Sequence, residues 1–387
     1  MFKKLFFIGF FLISLSLFGS LNPAKSESTE DYYDLETNLN EIGSIMEDYE
    51  LIFLGEVTHW SRDIIKEKIR LIEYLIENHE YDVLFIESSF PSYNYYIDTD
   101  SQINSEVFSD ELFDNLFNNP DITIHAIDIS PDFDGNTTSV PRYEEEIYNE
   151  LVEYDIDYAE DFKRSEYALR NWFAEGLIHE RDAGTYERED IYTDIMNQDF
   201  YNQLSSPART YIEEKQFTVE NYLKRIDFNT GNYYDVRAEG MADSIDRQLK
   251  DGQKAIVWAA NGHIFYEPNN IKYDHEVFTS SKEIYRTTTM TKILKNKNYN
   301  IYNTALFLNQ VDDFSLMPAE FSLNRTDDPS VLEGFIGNKV DRNVFIDLKN
   351  SEWFKKEEFV TTRLGLDFRI IPEEQMDGLI YIDYVQE

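Results

Sequence analysis

A strand, a helix and a second strand follow one another between residues 50 and 87, and this succession restricts the fold more than any other feature of the chain. Glu50-Leu51-Ile52-Phe53-Leu54 reads as a buried strand that ends at Gly55. From about Ser61 onward, Ile65, Ile69, Ile72 and Ile76 fall on one face at helical period, which predicts a helix stopping near Asn78-His79. Val83-Leu84-Phe85-Ile86 reads as the next strand, closing on Glu87. Two strands joined through a helix should be parallel members of one sheet. Further strands are expected at Ile122–Ile129, Ala255–Ala259, Asn300–Phe307 and Gly378–Tyr384, and a helix over Tyr234–Leu249. From 141 to about 228 the pattern predicts only helices, rich in Glu, Tyr and Asp. The expectation is an α/β fold: a central, mostly parallel sheet flanked by helices, with a helical insertion.

Composition limits what such a fold can serve. With 42% apolar residues, 27 Tyr and 28 Phe among 387, the chain can bury a sizeable core and does not read as disordered. Its 75 acidic residues against 35 basic ones give a formal charge of −40, which repels phosphate backbones and argues against nucleic-acid partners. The absence of cysteine excludes disulfides, thiolate metal ligands and a cysteine nucleophile. At the N-terminus, Lys3 and Lys4 precede an apolar run from Leu5 to Leu21, and Ala24-Lys25-Ser26 offers small residues where a signal peptidase reads. Residues 1–26 are therefore expected to be a cleaved signal peptide and 27–387 the mature domain, secreted and without a lipoprotein cysteine. No later segment reaches the roughly 18 apolar residues a membrane helix needs, so stable insertion after cleavage is not expected.

In parallel sheets, ligands bind at the carboxyl ends of the strands. The first strand places Glu56, His59 and Arg62 there, the second Glu87, the third Asp128 and the fourth Asn261 and His263. Singly each has an ordinary explanation, such as a capping acid, a turn histidine or a loop amide. Jointly they bring acids, imidazoles and a guanidinium to one edge. The chain has no Gly-x-Ser-x-Gly elbow, no His-Glu-x-x-His and no phosphate-binding glycine loop, which excludes the standard serine hydrolases and zincins and leaves nucleotide binding without support. Of the remaining histidines, His125 alternates within a strand as a core residue would, while His79, His179 and His275 lie in charged stretches and read as exposed.

Four segments carry a resemblance. Gly55-Glu56-Val57-Thr58-His59-Trp60-Ser61-Arg62-Asp63, the helix at Val236-Arg237-Ala238-Glu239-Gly240-Met241-Ala242, the strand end Trp258-Ala259-Ala260-Asn261-Gly262-His263 and the closing Asp377-Gly378-Leu379-Ile380-Tyr381-Ile382-Asp383 keep the order they have in the erythromycin esterase family, and the chain resembles that family from Leu51 to Asp383. One departure is Ala260, where the family's Trp-Ala-His-Asn-x-His stretch has its first histidine. The resemblance implies metal-independent hydrolysis of a carboxylic ester or lactone, a macrolide-like substrate and antibiotic resistance being within that class. It requires no cofactor and no metal. His59 would deprotonate water, with Glu56 or Glu87 on its other ring nitrogen. Arg62 and the start of the following helix would stabilise the oxyanion, and His263 would protonate the leaving group. Arg237, Asn261 and Asp128 would bind substrate.

Two other readings compete. Gly-Glu-x-x-His turns also occur in distantly similar Tiki-type and haem-uptake proteins, so Glu56, His59, Glu87 and His263 could hold a divalent ion in a metal-dependent hydrolase or metal-binding protein. Alternatively, Ala260 marks an extracellular binding protein that has lost catalysis. Substrate and oligomeric state are not encoded in any motif.

Overall fold

The computed structural model describes residues 31–57, 62–93, 116, 118–131, 141–177, 185–186, 190–273, 287–310, 326–363 and 366–383. The expected signal peptide at 1–26 and His59, His179 and His275 lie outside these residues, as does the side chain of Arg62.

The strands in chain order are β1 (Tyr33–Asp34), β2 (Leu51–Leu54), β3 (Val83–Ser89), β4 (Thr123–Asp128), β5 (Ala255–Trp258), β6 (Lys272–Tyr273), β7 (Ile301–Leu308), β8 (Val344–Asp347), β9 (Phe359–Arg363), β10 (Leu366–Ile370) and β11 (Gly378–Ile382). Eight of them form one sheet in the order β1-β8-β11-β7-β2-β5-β3-β4. From β11 to β4 every neighbouring pair is parallel, and β8 and β1 are added antiparallel at one side. The expected α/β architecture with its mostly parallel sheet is therefore present. β2 and β3 are parallel members of it, as a βαβ unit requires, but β5 is hydrogen-bonded between them. A second sheet, β6-β10-β9, is antiparallel and has no counterpart in the sequence reading. Its strands are short, and periodicity is weak over so few residues.

β2, β5, β7, β8 and β11 are buried along their whole length, as strands covered on both faces must be, and they read as apolar runs rather than alternating ones. Helices cover both faces. The helix Arg62–His79 packs the buried side chains of Ile65, Ile69 and Ile72 into a layer that includes Leu54, Ile86 and Trp258. The opposite face of the sheet contributes Phe53, Phe85 and Val257 to a second layer with Met241 and Ile245 of the helix Tyr233–Gln248. Between β4 and that helix the described chain is helical, at Arg142–Tyr154, Ile156–Leu177, Ile191–Met196 and Ser206–Asn221, in agreement with the expected helical insertion.

His79 corrects the reading of an exposed residue. Its side chain is only 9% exposed, with Nδ1 3.4 Å from Glu47 Oε2, because the helix end it occupies packs against the helix Leu39–Met46. His125 stacks on Phe85 at 5.7 Å between ring centres, and burial lowers its pKa, with Lys250 acting in the same direction.

Candidate active site

β3 continues two residues beyond Glu87, where the sequence pattern ended it. Its register against β4 slips between Ile86 and Ser89. Glu87 lies inside that irregularity, and a residue in a bulge can turn its side chain out of the regular alternation. Its carboxylate, 6% exposed, gathers three groups. Oε2 accepts the Ala260 N–H at 2.6 Å, Oε1 accepts from Arg237 Nη2 at 2.8 Å, and His263 Nε2 lies 3.2 Å from the same Oε1. Elements far apart in the chain thus meet on one carboxylate: β3, the turn after β5, and the helix Tyr233–Gln248.

Arg237 also takes Asp128 at the end of β4. Nε donates to Oδ1 at 2.9 Å and Nη2 to Oδ2 at 2.6 Å, a two-pronged geometry that fixes the guanidinium plane. Burial opposes the charge on Arg237, and the carboxylates of Asp128 and Glu87 outweigh it, so the group stays fully charged. Asp128 Oδ1 further accepts the Ser130 N–H, and the Ser130 hydroxyl lies 3.0 Å from the hydroxyl of Tyr233. Burial pushes the Tyr233 pKa up to about 12, against the pull of Arg237.

Glu56 has separate partners. It is 1% exposed, and its Oε2 accepts both from Lys68 Nζ at 2.9 Å and from the Trp258 indole N–H at 2.8 Å. The Lys68 ammonium also stands 4.1 Å over the Trp258 ring, and Lys68 has no exposed surface. Burial drives the Lys68 pKa down to about 8, and Glu56 and then Glu87 resist that fall.

Asn261 joins the ends of three strands. Its N–H donates to the Glu56 carbonyl at 2.8 Å, and its amide exchanges two hydrogen bonds with the Leu306 backbone in β7, at 2.8 and 3.1 Å. Gly55 is needed here, since a Cβ at that position would stand 2.1 Å from Asn261 Oδ1. The amide expected to bind substrate is committed to backbone.

Of the residues singled out in the sequence, the structure brings Glu87, Asp128, Arg237 and His263 into one contact network. Glu56 and Asn261 lie at the same sheet edge, tied to each other through the backbone. Four partners were not anticipated: Lys68, Trp258, Ser130 and Tyr233. Lys68 carried a usable signal. It sits three residues after Ile65 and four before Ile72, on the predicted apolar face, where a charge demands a partner. Among the described residues no group of three or more acidic or histidine side chains is arranged to hold a metal ion.

No family model matches the sequence, and no curated protein matches it. Three solved structures are similar in fold. A Bacillus cereus protein superposes with a TM-score of 0.58 at 14% identity, over 92% of this chain and 95% of that one. A protein described as a succinoglycan biosynthesis protein gives a TM-score of 0.60 at 14% identity, over 89% and 90%. A mutant erythromycin esterase in its open conformation gives 0.51 at 12% identity, over 89% and 93%. At such identities the likeness is one of fold.

Proposed function

We propose that this chain is a hydrolase acting on a carboxylic ester or lactone without a metal ion. The supporting observation is the convergence of His263, Arg237 and the Ala260 N–H on the Glu87 carboxylate, at the edge where the parallel strands end. A carboxylate fixed by a guanidinium and a backbone N–H holds an imidazole in one orientation, which suits His263 to protonate a leaving alkoxide. His59, placed by the sequence on the turn after Glu56, is assigned the base that activates water, and Arg62 the oxyanion. Glu56 accepts hydrogen bonds from Lys68 and Trp258. The fold shared with an erythromycin esterase is consistent with this chemistry. Asp128 and Arg237, expected to bind substrate, are proposed instead to hold Glu87 in place, and Asn261 to hold the turn that carries His263.

The test is a screen of esters and lactones with the purified protein, comparing wild type with His59→Ala and His263→Ala, with and without a chelator. Both variants should lose on the order of 10²-fold in turnover, the usual contribution of a general acid or base, and the chelator should have no effect. Chelator-sensitive turnover would favour the metal-dependent reading. Turnover unchanged in both variants would refute the mechanism. Ala260→His tests the departure from the family pattern, since an added imidazole there should speed hydrolysis.

A further inference from the structure

The helix that carries Arg237 touches one short turn residue by residue. Tyr233, Arg237 and Gly240 stand at i, i+4 and i+7 of the helix Tyr233–Gln248, so they share one face. Asp128, Ile129 and Ser130 follow one another where β4 ends. The Ser130 hydroxyl lies 3.0 Å from the Tyr233 hydroxyl, the Asp128 carboxylate takes the Arg237 guanidinium in a two-pronged grip, and Ile129 packs on Gly240. A Cβ at Gly240 would stand 2.4 Å from Ile129 Cγ2, so the close approach of turn and helix requires a residue without one.

Two of these elements converge on one atom. Asp128 Oδ1 accepts from Arg237 Nε at 2.9 Å and from the Ser130 N–H at 3.1 Å. The orientation of the carboxylate that grips Arg237 therefore depends on where Ser130 is held. Tyr233 holds it, with a phenol that stays protonated because burial raises its pKa. The ring of Tyr233 is seated by Phe173 of the helical insertion and by Phe228, at 5.3 and 5.6 Å between ring centres. Phenylalanine would keep that packing, so the hydroxyl serves the turn rather than the core.

We propose that Tyr233, Ser130 and Gly240 are positioning residues for the hydrolytic reaction: they fix the turn 128–130 against the helix, and through Asp128 they set the Arg237 guanidinium against Glu87, the carboxylate that His263 meets. None of the three needs to touch substrate. The inference rests on the hydrolase reading for its kinetic arm, and a spectroscopic arm reads the geometry alone.

Tyr233→Phe and Ser130→Ala should each lower kcat roughly tenfold with KM unaltered, the equivalent of one hydrogen bond felt only in the transition state. The double variant should lose no more than either alone, because both changes remove the same contact. In an Arg237→Lys background, which cannot make the two-pronged grip, Tyr233→Phe should add nothing. Gly240→Ala should lower kcat by displacing Ile129, and Gly240→Ala with Ile129→Ala should recover it. Independently of turnover, the Arg237 Nε–H signal in proton–nitrogen NMR should exchange with solvent on the order of tenfold faster in Tyr233→Phe and Ser130→Ala than in wild type. An unchanged Arg237 signal in both variants would overturn the proposal and leave the hydrolase reading to its own screen. Additive losses in the double variant, or a lowered melting temperature with kcat intact, would overturn it as well. A loss in Gly240→Ala that persists in the pair with Ile129→Ala would remove Gly240 from the set. Faster exchange in a protein that turns over no ester would support the clamp and sink the hydrolase reading.

Discussion

Two glutamates of this chain are each buried beside a lysine and at least one aromatic side chain, one at the sheet edge and one among the helices. Glu56 accepts from Lys68 and from the Trp258 indole. Glu166, on the helix Ile156–Leu177, accepts from the hydroxyls of Tyr192 and Tyr211 at 2.7 and 2.9 Å, with Lys215 Nζ 3.4 Å away. Both lysines lie near an aromatic ring of their cluster, at 4.1 and 5.5 Å. The local chemistry is nearly the same, and the surroundings are not. The backbone of Glu56 is bonded to Asn261, on the turn that carries His263, and the Glu87 network stands beside it. Glu166 has another buried pair of the helical region nearby in sequence, Glu144 with Arg170, and no strand end. A buried ion pair is weak evidence of a site, because desolvation consumes most of its attraction. Under the proposed function, position at the carboxyl edge of the sheet assigns the first pair a chemical role and leaves the second a packing one.

The largest expected effect tests both pairs by the same cycle. Glu166→Leu leaves Lys215 buried without its carboxylate and should cost about 3–5 kcal/mol of stability in denaturant unfolding. The double change Glu166→Leu with Lys215→Met should regain most of that and keep ester turnover. At the sheet edge, Glu56→Leu with Lys68→Met should also regain stability but not turnover. Full turnover in that double variant would erase the contrast between the two regions.

Glu87→Gln keeps the shape of the side chain and removes its charge. Hydrolysis should fall on the order of 10²-fold, as when an acid–base group loses its alignment. Glu144→Gln, in the helical region, should leave the rate unaltered while lowering the melting temperature. Equal rate losses in the two variants would mean that turnover merely follows stability.

Lys68 sharpens the comparison through pH. Its folded pKa, about 8, is below the ordinary 10.5, so the unfolded chain binds the extra proton between these values. Stability contributed by this group therefore rises as pH climbs from about 8 toward 10.5. Tyr233 acts the other way, because its pKa is raised to about 12 and its contribution is lost as pH rises from 10 through that value. From pH 8 to 10, wild type should gain stability relative to Lys68→Arg, which cannot release its proton. A pH-independent difference between the two proteins would contradict the burial argument.

The smallest effect is that of salt. With a formal charge of −40, the folded chain repels itself, and at about 0.15 M ionic strength charges more than roughly 8 Å apart in solvent are screened. Added sodium chloride should raise the melting temperature of wild type and of both double variants by the same increment, since buried pairs are screened little. A salt response that vanished with either pair would show that the pair, rather than the surface, is its source.

The residues that could be read in advance are those with a periodic or positional signature. Apolar runs at Leu51–Leu54, Val83–Ile86, Ala255–Trp258 and Gly378–Ile382 announced the buried parallel strands, and the polar residues at their ends announced Glu87, Asp128 and His263. The antiparallel strands β1, β6, β8, β9 and β10 escaped; β1 and β6 span only two residues, too few for a period to emerge, and Phe359–Arg363 and Leu366–Ile370 mix apolar residues with polar ones. Strand order was equally hidden, since hydrophobic pattern says that a strand is buried but not beside which neighbour.

By itself, then, the sequence determined the α/β class, the acidic surface and the edge on which the polar groups collect, because these follow from local pattern and from composition. Only the tertiary structure decided the pairings. That Glu56 belongs with Lys68 and Trp258, and Glu87 with Arg237 and His263, depends on β5 lying between β2 and β3 and on the register slip after Ile86. Contacts between residues up to about 200 positions apart carry no local signature, and a carboxylate in a chain offers no sign of which cation it will meet until packing brings one within 3 Å.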